Sequence, residues 1–388
     1  MKLLSISIKG LPLFKEELSI CFYAQQRVSE EHRDQLHLMR PDSSFYLNNI
    51  EALIGINASG KTSVLKATLF ALNLLNNEPI NHIETRDILG LSERVVVNCF
   101  FYSDSDELCR LETIISSRQD RNHEVRYTIT EEKLWSKPAS SATTKKALLD
   151  FDGIEPSAVR TNDEAFLPSD TSIIIAYNKQ NHQHIDIADL LSLTDINVLP
   201  ISDGIPSDVV AFLDPTVEKL SFFSDDGKVD VHLKFFNKAE IVLSDPAELN
   251  RYLSSGTIKG IVAFTLAMRI LNSGGYLVID ELENHFNKEI VATLIRFFMD
   301  PELNRNGGTL IFTTHYPEIL DEFERNEYVY ITRNRDGISV VNLRDILKRN
   351  DIKKSEAYQS GFLEGTVPTY EAYLNLKTSI RSVLRKEA

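Results

Sequence analysis

The chain has 388 residues, of which 43% are hydrophobic and 25% charged, and its formal net charge is −14. This is the composition of a soluble globular protein with a packed core, long enough for one large domain or two ordinary ones. No apolar run is long enough to cross a bilayer, and the acidic balance opposes broad nonspecific binding to nucleic acid, leaving only a local basic patch open.

The start, Met1–Lys9, alternates like a strand and lacks the long apolar stretch of a signal peptide. Two strand-like runs between Met1 and Phe22 flank Gly10-Leu11-Pro12 and predict a hairpin. Arg27, Arg33 and Arg40 share a polar stretch with Glu30, Glu31 and Asp34, the pattern of a solvated face. Cys21, Cys99 and Cys109 show neither metal spacing nor a disulfide framework, which suits a reducing cytoplasm.

The stretch Ile50–Leu69 carries the strongest motif. The apolar run Ile50–Ile54 suits a buried strand, Gly55-Ile56-Asn57-Ala58-Ser59-Gly60-Lys61-Thr62 is a G-x-x-x-x-G-K-[ST] phosphate loop, and a helical pattern follows. Gly55 and Gly60 let the backbone approach a polyphosphate, and the amides from Asn57 to Ser63 form an anion nest at the helix start. Lys61 supplies a point charge for the β- and γ-phosphates, and the Thr62 hydroxyl suits Mg²⁺, a hard ion that prefers oxygen. Turn residues near Asn76–Pro79 end this helix.

Arg94–Tyr102, Leu108–Ser116 and Glu124–Thr130 are predicted as consecutive strands, and Trp135–Asp170 as an irregular or helical excursion. The apolar run within Thr171–Tyr177 predicts a buried strand, and Ile185–Leu213 an interrupted helical region. Val217–Phe223 and Val229–Phe236 flank Asp225-Asp226-Gly227 as a hairpin, with a further strand at Ala239–Leu243. Leu253-Ser254-Ser255-Gly256-Thr257 precedes a helical Ile258–Leu271 and forms an anion-friendly helix start, although an ordinary cap would look the same. Gly275–Glu281 is an apolar strand ending in two carboxylates. Asp280 is placed to hold Mg²⁺, and Glu281 to orient or deprotonate a water attacking the γ-phosphate. A helix is expected over Asn287–Met299, then the strand Thr309–Thr314, which ends at His315, where a γ-phosphate sensor would sit. Tyr328–Thr332 and Ile338–Val341 pair across Asn334-Arg335-Asp336-Gly337, and the tail from Leu343 reads as helical, broken at Gly361–Pro368, with a basic end at Lys377, Arg381, Arg385 and Lys386 that reads as a solvated face.

Taken together these motifs resemble the ABC-type ATPases of the RecF/SMC branch. Gly55–Thr62 looks like Walker A, Leu253–Thr257 like the signature loop, Leu277–Glu281 like Walker B with its catalytic glutamate, His315 like the switch histidine, and Glu283-Asn284-His285 like the D-loop. The signature reads Leu-Ser-Ser-Gly-Thr rather than the commoner Leu-Ser-Gly-Gly-Gln, and the Q-loop glutamine stays open among Gln119, Gln180 and Gln183. The resemblance implies an α/β P-loop NTPase, an ABC-type head with an antiparallel β subdomain, a helical lobe and no long coiled-coil arm. It would span 1–342, with Walker A in 1–134, an inserted lobe at 135–250, the signature, Walker B and switch histidine in 251–342, and a helical tail at 343–388. It further implies ATP and Mg²⁺ as ligands and a head-to-tail homodimer. In that dimer Ser254, Ser255 and Gly256 of one copy close on the γ-phosphate held by Lys61 of the other, higher assembly being open.

Within the branch, the compact head resembles ATPases of bacterial anti-phage operons of the PARIS and AbiL types. That implies a sensor or scaffold that holds a separate effector, for which a Toprim-type nuclease is one candidate, and answers a phage-encoded trigger. The alternative is a RecF-like repair or maintenance ATPase that clamps DNA, which the charge balance weakens. No membrane role is expected.

Overall fold

The computed structural model describes residues 1–40, 43–119, 122–160, 167–191, 205–225, 228–284, 286–349, 352–363 and 370–386. The chain opens with β1 (Lys2–Lys9), which pairs antiparallel with β2 (Leu18–Cys21) as the predicted hairpin. A short pair, β3 (His37–Leu38) and β4 (Tyr46–Leu47), leads into β5 (Ile50–Ile54), every residue of which is buried. The phosphate loop follows, then α1 (Lys61–Leu75). β6 (Val95–Tyr102), β7 (Glu107–Gln119) and β8 (Val125–Pro138) are successive antiparallel strands; β6 keeps its predicted length to within one residue, while β7 and β8 run longer than predicted, β8 into the stretch from Trp135 expected to be irregular or helical. In β6 the residues Val95, Val97, Cys99 and Phe101 turn inward in strict alternation. After α2 (Lys145–Leu149), β9 (Ala158–Val159) extends this sheet to the order β2-β1-β6-β7-β8-β9.

Two segments depart from their predicted form. The run Thr171–Tyr177 is not a strand: it turns into α3 (Ile174–Asn181). The reason lies on β8, where the buried Glu132 carboxylate accepts the Ile173 amide and the Ser172 hydroxyl, each at 2.7 Å, while Ser172 Oγ accepts the Ile174 amide at 3.1 Å. A carboxylate at the amino end of a helix satisfies its first free amides, and this outweighs the β preference of three consecutive isoleucines. The second segment is Ile185–Leu213, expected to be helical. Its described residues hold β10 (Ile187–Leu190) and, at its end, a helix, α4 (Ser207–Leu213); residues 192–204 lie outside those described. Asn76, just past α1, holds Ile185 extended by exchanging both hydrogen bonds with its backbone, and β10 then pairs parallel with the strand at Tyr276–Ile279.

β11 (Val217–Asp225), β12 (Lys228–Phe235) and β13 (Ile241–Leu243) form the expected antiparallel meander; its turn at 226–227 lies outside the described residues. Next come α5 (Ser255–Ser273), β14 (Tyr276–Ile279), α6 (Lys288–Met299), β15 (Thr309–Thr314) and the hairpin β16 (Val329–Asn334)–β17 (Ile338–Asn342). The tail carries α7 (Leu343–Ile346), α8 (Lys354–Gln359) and α9 (Tyr370–Lys386). Among the described residues the longest helix is α5, at 19 residues. None is long and apolar enough to cross a membrane. The tail end is helical as expected, but α9 exposes Tyr370, Tyr373, Leu376, Ile380 and Leu384 along with Lys377 and Arg381.

The central sheet has the order β10-β14-β15-β5-β16-β17, parallel except for β17. α1 fills the space between its one face and the antiparallel sheet. Helix residues Val64, Leu65, Leu69, Phe70 and Leu72 meet Leu53, Val278 and Ile311 on one side and Ile6, Val97 and Phe101 on the other. A helix covered by sheets on both sides is apolar nearly all round, as this one is. α5 and α6 cover the opposite face through Ile258, Ile261, Leu294 and Phe298 against Ala52, Leu277 and Phe312. In such a parallel sheet the carboxyl ends of β5, β14 and β15 lie side by side, and the ligand crevice opens there.

Candidate functional site

β5 delivers Ile54 to the sheet edge, and the loop from Gly55 turns into α1 at Lys61. Ala58 and Gly60 hold left-handed φ values of 62° and 99°. This lets successive amides point to one side, as an anion nest requires. A Cβ on Gly55 would run into Ser59 Oγ and Thr332. The loop is tied from outside: Ser59 Oγ and Thr332 Oγ1 lie 2.6 Å apart, and Asn334 Nδ2 donates to Ala58 O at 3.0 Å. A Cβ on Gly60 would sit 2.6 Å from the buried Ile338 side chain and keep an unfavourable φ. Gly60→Ala is therefore expected to lose about 1–3 kcal/mol of stability, measured as a lowered urea midpoint at unchanged m.

Lys61 is buried, and its Nζ donates to Gly55 O at 3.0 Å and Ile56 O at 3.4 Å. Burial pushes its ammonium below the usual lysine range, against the pull of Asp280, Glu281 and Glu283, which raise it. Thr62 Oγ1 donates to Asp280 Oδ2 at 2.6 Å, so the helix start and the end of β14 are joined by two oxygens suited to a hard cation. Thr313 on β15 holds both carboxylate residues: its hydroxyl donates to Asp280 Oδ1 at 2.5 Å and accepts the Glu281 amide at 2.7 Å. Glu281 itself has a φ of 50°, a conformation an L-residue rarely adopts. Strain of this kind collects at functional sites. The Asn284 amide holds Glu281 Oε2.

His315 spans the two sides. Its Nδ1 lies 3.3 Å from Lys61 Nζ and its Nε2 3.6 Å from Glu281 Oε1. A charged lysine can only donate, so Nδ1 accepts and the proton sits on Nε2, facing Glu281. The His315 amide is held by Glu283 Oε1, on the turn after Glu281; His285 lies outside the described residues.

These groups line a cleft of about 680 Å³ that contains Asn57, Ala58, Ser59, Gly60, Lys61, Thr62 and Ser63 with Glu281 and His315. Every phosphate-loop side chain singled out in the sequence beyond Gly55 is thus brought to one place, with Asp280 bonded behind Thr62. Ser254, Ser255 and Gly256 are not among the lining residues. Ser254 caps α5 by accepting the Thr257 amide at 3.0 Å, and Ser254 and Ser255 are exposed. The glutamine candidates are elsewhere too: Gln119 and Gln180 are exposed, and Gln183 is buried against Asp104 and Asn181. Sequence reading missed Thr313, Thr332 and Asn334, and the lining residues Pro12, Leu13, Asp336 and Ile338. Thr313 lies two residues before His315 and a spacing argument could have found it; the rest arrive through long-range pairing.

The donor set fits a triphosphate with a divalent ion. Among the described residues no three His, Cys, Asp or Glu side chains cluster to hold a metal alone, so Thr62 and Asp280 would supply protein oxygens and the phosphates the rest, the usual arrangement for Mg²⁺. The arrangement of parallel sheet, phosphate loop and acidic strand end is a P-loop NTPase core of mixed α/β architecture. A search of curated proteins finds no match. Residues 213–321 match a family profile described as "AAA domain, putative AbiEii toxin, Type IV TA system". The matched stretch contains Ser254–Gly256, Asp280, Glu281 and His315, and the phosphate loop precedes it. That part of the chain is therefore similar to a P-loop ATPase family linked to abortive infection.

Proposed function

We propose that the protein binds and hydrolyses ATP as an ABC-type ATPase, that two copies close head to tail on the nucleotide, and that this cycle controls a separate effector in anti-phage defence. The observation that carries the reading is the joining of Thr62 to Asp280 at 2.6 Å beside Lys61, with Glu281 and His315 on the same cleft. The amides from Asn57 to Ser63 and the Lys61 ammonium bind the β- and γ-phosphates. Mg²⁺, when bound, neutralises charge that develops on the transferred phosphoryl group. Glu281, held by Thr313 and Asn284, orients water and accepts its proton as water attacks the γ-phosphorus and ADP departs. His315, between Lys61 and Glu281, keeps the two in register across the cleft.

The exposed Ser254-Ser255-Gly256 turn supports closure in trans. It caps a helix whose amino end faces outward, an anion-friendly surface outside its own chain's cleft. The similarity of residues 213–321 to an AbiEii-linked family supports the defence context. On this reading the effector is a separate protein, a Toprim-type nuclease being one candidate, and a phage-encoded trigger starts the response. The test is light scattering with ATP and Mg²⁺. Glu281→Gln should double in mass. Glu281→Gln combined with Ser255→Arg should bind nucleotide yet stay at the mass of one copy, and ATP-induced doubling in the double variant would refute closure through this turn.

A further inference from the structure

The Glu283 carboxylate holds the His315 amide, and the tail holds the chain that follows. That chain forms a 3₁₀ turn, Pro317–Glu322, in which Ile319 and Leu320 are fully buried. α8, from the tail, packs along this turn. The Asp321 carboxylate accepts the Ser355 amide at 3.0 Å and the Ser355 hydroxyl at 2.5 Å, which satisfies a free amide in the first turn of α8. The Lys354 ammonium is buried and donates to Phe323 O at 2.6 Å and Glu324 O at 3.3 Å. Burial holds this ammonium below the usual lysine range, against Asp321 and Glu324, which raise it. A buried cation bonded to two main-chain carbonyls fixes them firmly. Gln359 adds a bond to Glu318 Oε1 at 2.7 Å. Beyond α8, Leu363 O accepts Arg333 Nη2 at 3.0 Å. Arg333 lies on β16 between Thr332 and Asn334, the two residues that tie the phosphate loop. The tail thus bridges the wall that carries His315 and the wall that carries Lys61.

We propose that residues 354–363 form a strut that positions His315, with Asp321 and Ser355 as its joint. The proposal rests on the ATPase reading and deepens it. Asp321, Lys354 and Ser355 are not among the residues lining the cleft, so they touch neither the nucleotide nor the attacking water. They act through the backbone between His315 and Glu324. The loop amides and Lys61 bind the phosphates without the strut. Turnover needs more, because His315 must keep its place between Lys61 and Glu281. Loosening the joint should therefore slow hydrolysis and spare binding, since a displacement of about 1 Å can cost a reaction up to about 10²-fold.

The experiment measures kcat, KM and ATP affinity in the full chain carrying Asp321→Ala or Ser355→Ala. Asp321→Ala removes both bonds to Ser355 and should lower kcat about tenfold, with KM and affinity changed by less than about twofold. Ser355→Ala keeps the amide bond, perturbs the fold least, and should lower kcat about threefold. Asp321→Asn keeps one acceptor and should recover part of the loss. The same changes are then made in His315→Ala. A strut that acts through His315 has nothing left to position there, so Asp321→Ala should slow single-turnover hydrolysis no further. An equal loss in both backgrounds would make Asp321 a stabilising residue and not a positioning one. Unchanged kcat in both single variants, or affinity falling in step with kcat, would overturn the strut while leaving the ATPase reading. If the parent chain does not hydrolyse ATP, that reading fails and the strut fails with it.

Discussion

Replacing Glu281 with Gln is expected to lower ATP turnover about 10²–10³-fold while changing nucleotide affinity by less than about twofold. The amide keeps the size and most of the polar contacts of the carboxylate, so it can still hold water, but it cannot take the proton that water must lose. The surroundings make the effect specific. The Glu281 backbone is fixed at a left-handed φ of 50° by the Thr313 hydroxyl, which accepts its amide at 2.7 Å. That contact survives the substitution, so the loss is one of chemistry and not of position. Single-turnover hydrolysis against ATP affinity separates the two. Turnover within about threefold of the parent would remove Glu281 from the role of base and leave it as a structural end to β14.

Removing the Lys61 side chain is expected to weaken ATP binding by about 10²-fold, the scale of two charge-assisted contacts. Lys61→Ala should bring little loss of fold, because among the described residues the ammonium bonds only to the Gly55 and Ile56 carbonyls and His315. The same residue predicts a pH dependence. Burial holds the Lys61 ammonium below the ordinary range of about 10.4, and the charged form is the one that attracts phosphate. Affinity should therefore be full on the acid side and fall as pH rises, starting below the pH at which an exposed lysine would lose its proton. Titration of ATP binding across alkaline pH checks this, and Lys61→Ala should flatten the profile. Undiminished affinity in Lys61→Ala would mean that the loop amides alone hold the anion.

Both predictions depend on how the sheet brings distant segments together. Asp280 follows β14, Thr313 lies on β15 and Thr62 opens the helix after β5, and these strands are hydrogen-bonded neighbours. Thr313 then works as a brace: one hydroxyl donates to Asp280 and accepts from the Glu281 backbone, so the two carboxylate residues keep a fixed relation. Thr332 and Asn334 brace the phosphate loop in the same way from β16. A site held by neighbouring strands is stiffer than one held by its own loop, and pre-organisation of that kind is what charge stabilisation in phosphoryl transfer requires.

Local chemistry alone was enough for the parts of the protein whose cause is local. A glycine-framed loop between an apolar strand and a helix, two carboxylates at the end of an apolar run, a histidine closing the next run, and a turn-rich Asn334–Gly337 between strands all state their form within about ten residues, because loop conformation, strand burial and turn type are short-range matters. Tertiary structure decided the rest. The isoleucines at 173–175 became the start of a helix because a glutamate forty residues away, on β8, met their free amides. The stretch after Ile185 became a strand because Asn76 and the open edge of β14 were there to receive it. Leu13 and Asp336 reached the cleft because two hairpins more than three hundred residues apart share hydrogen bonds. In each case the deciding partner was distant in the chain, and a buried hydrogen bond left unmade costs more than the local preference it overrides.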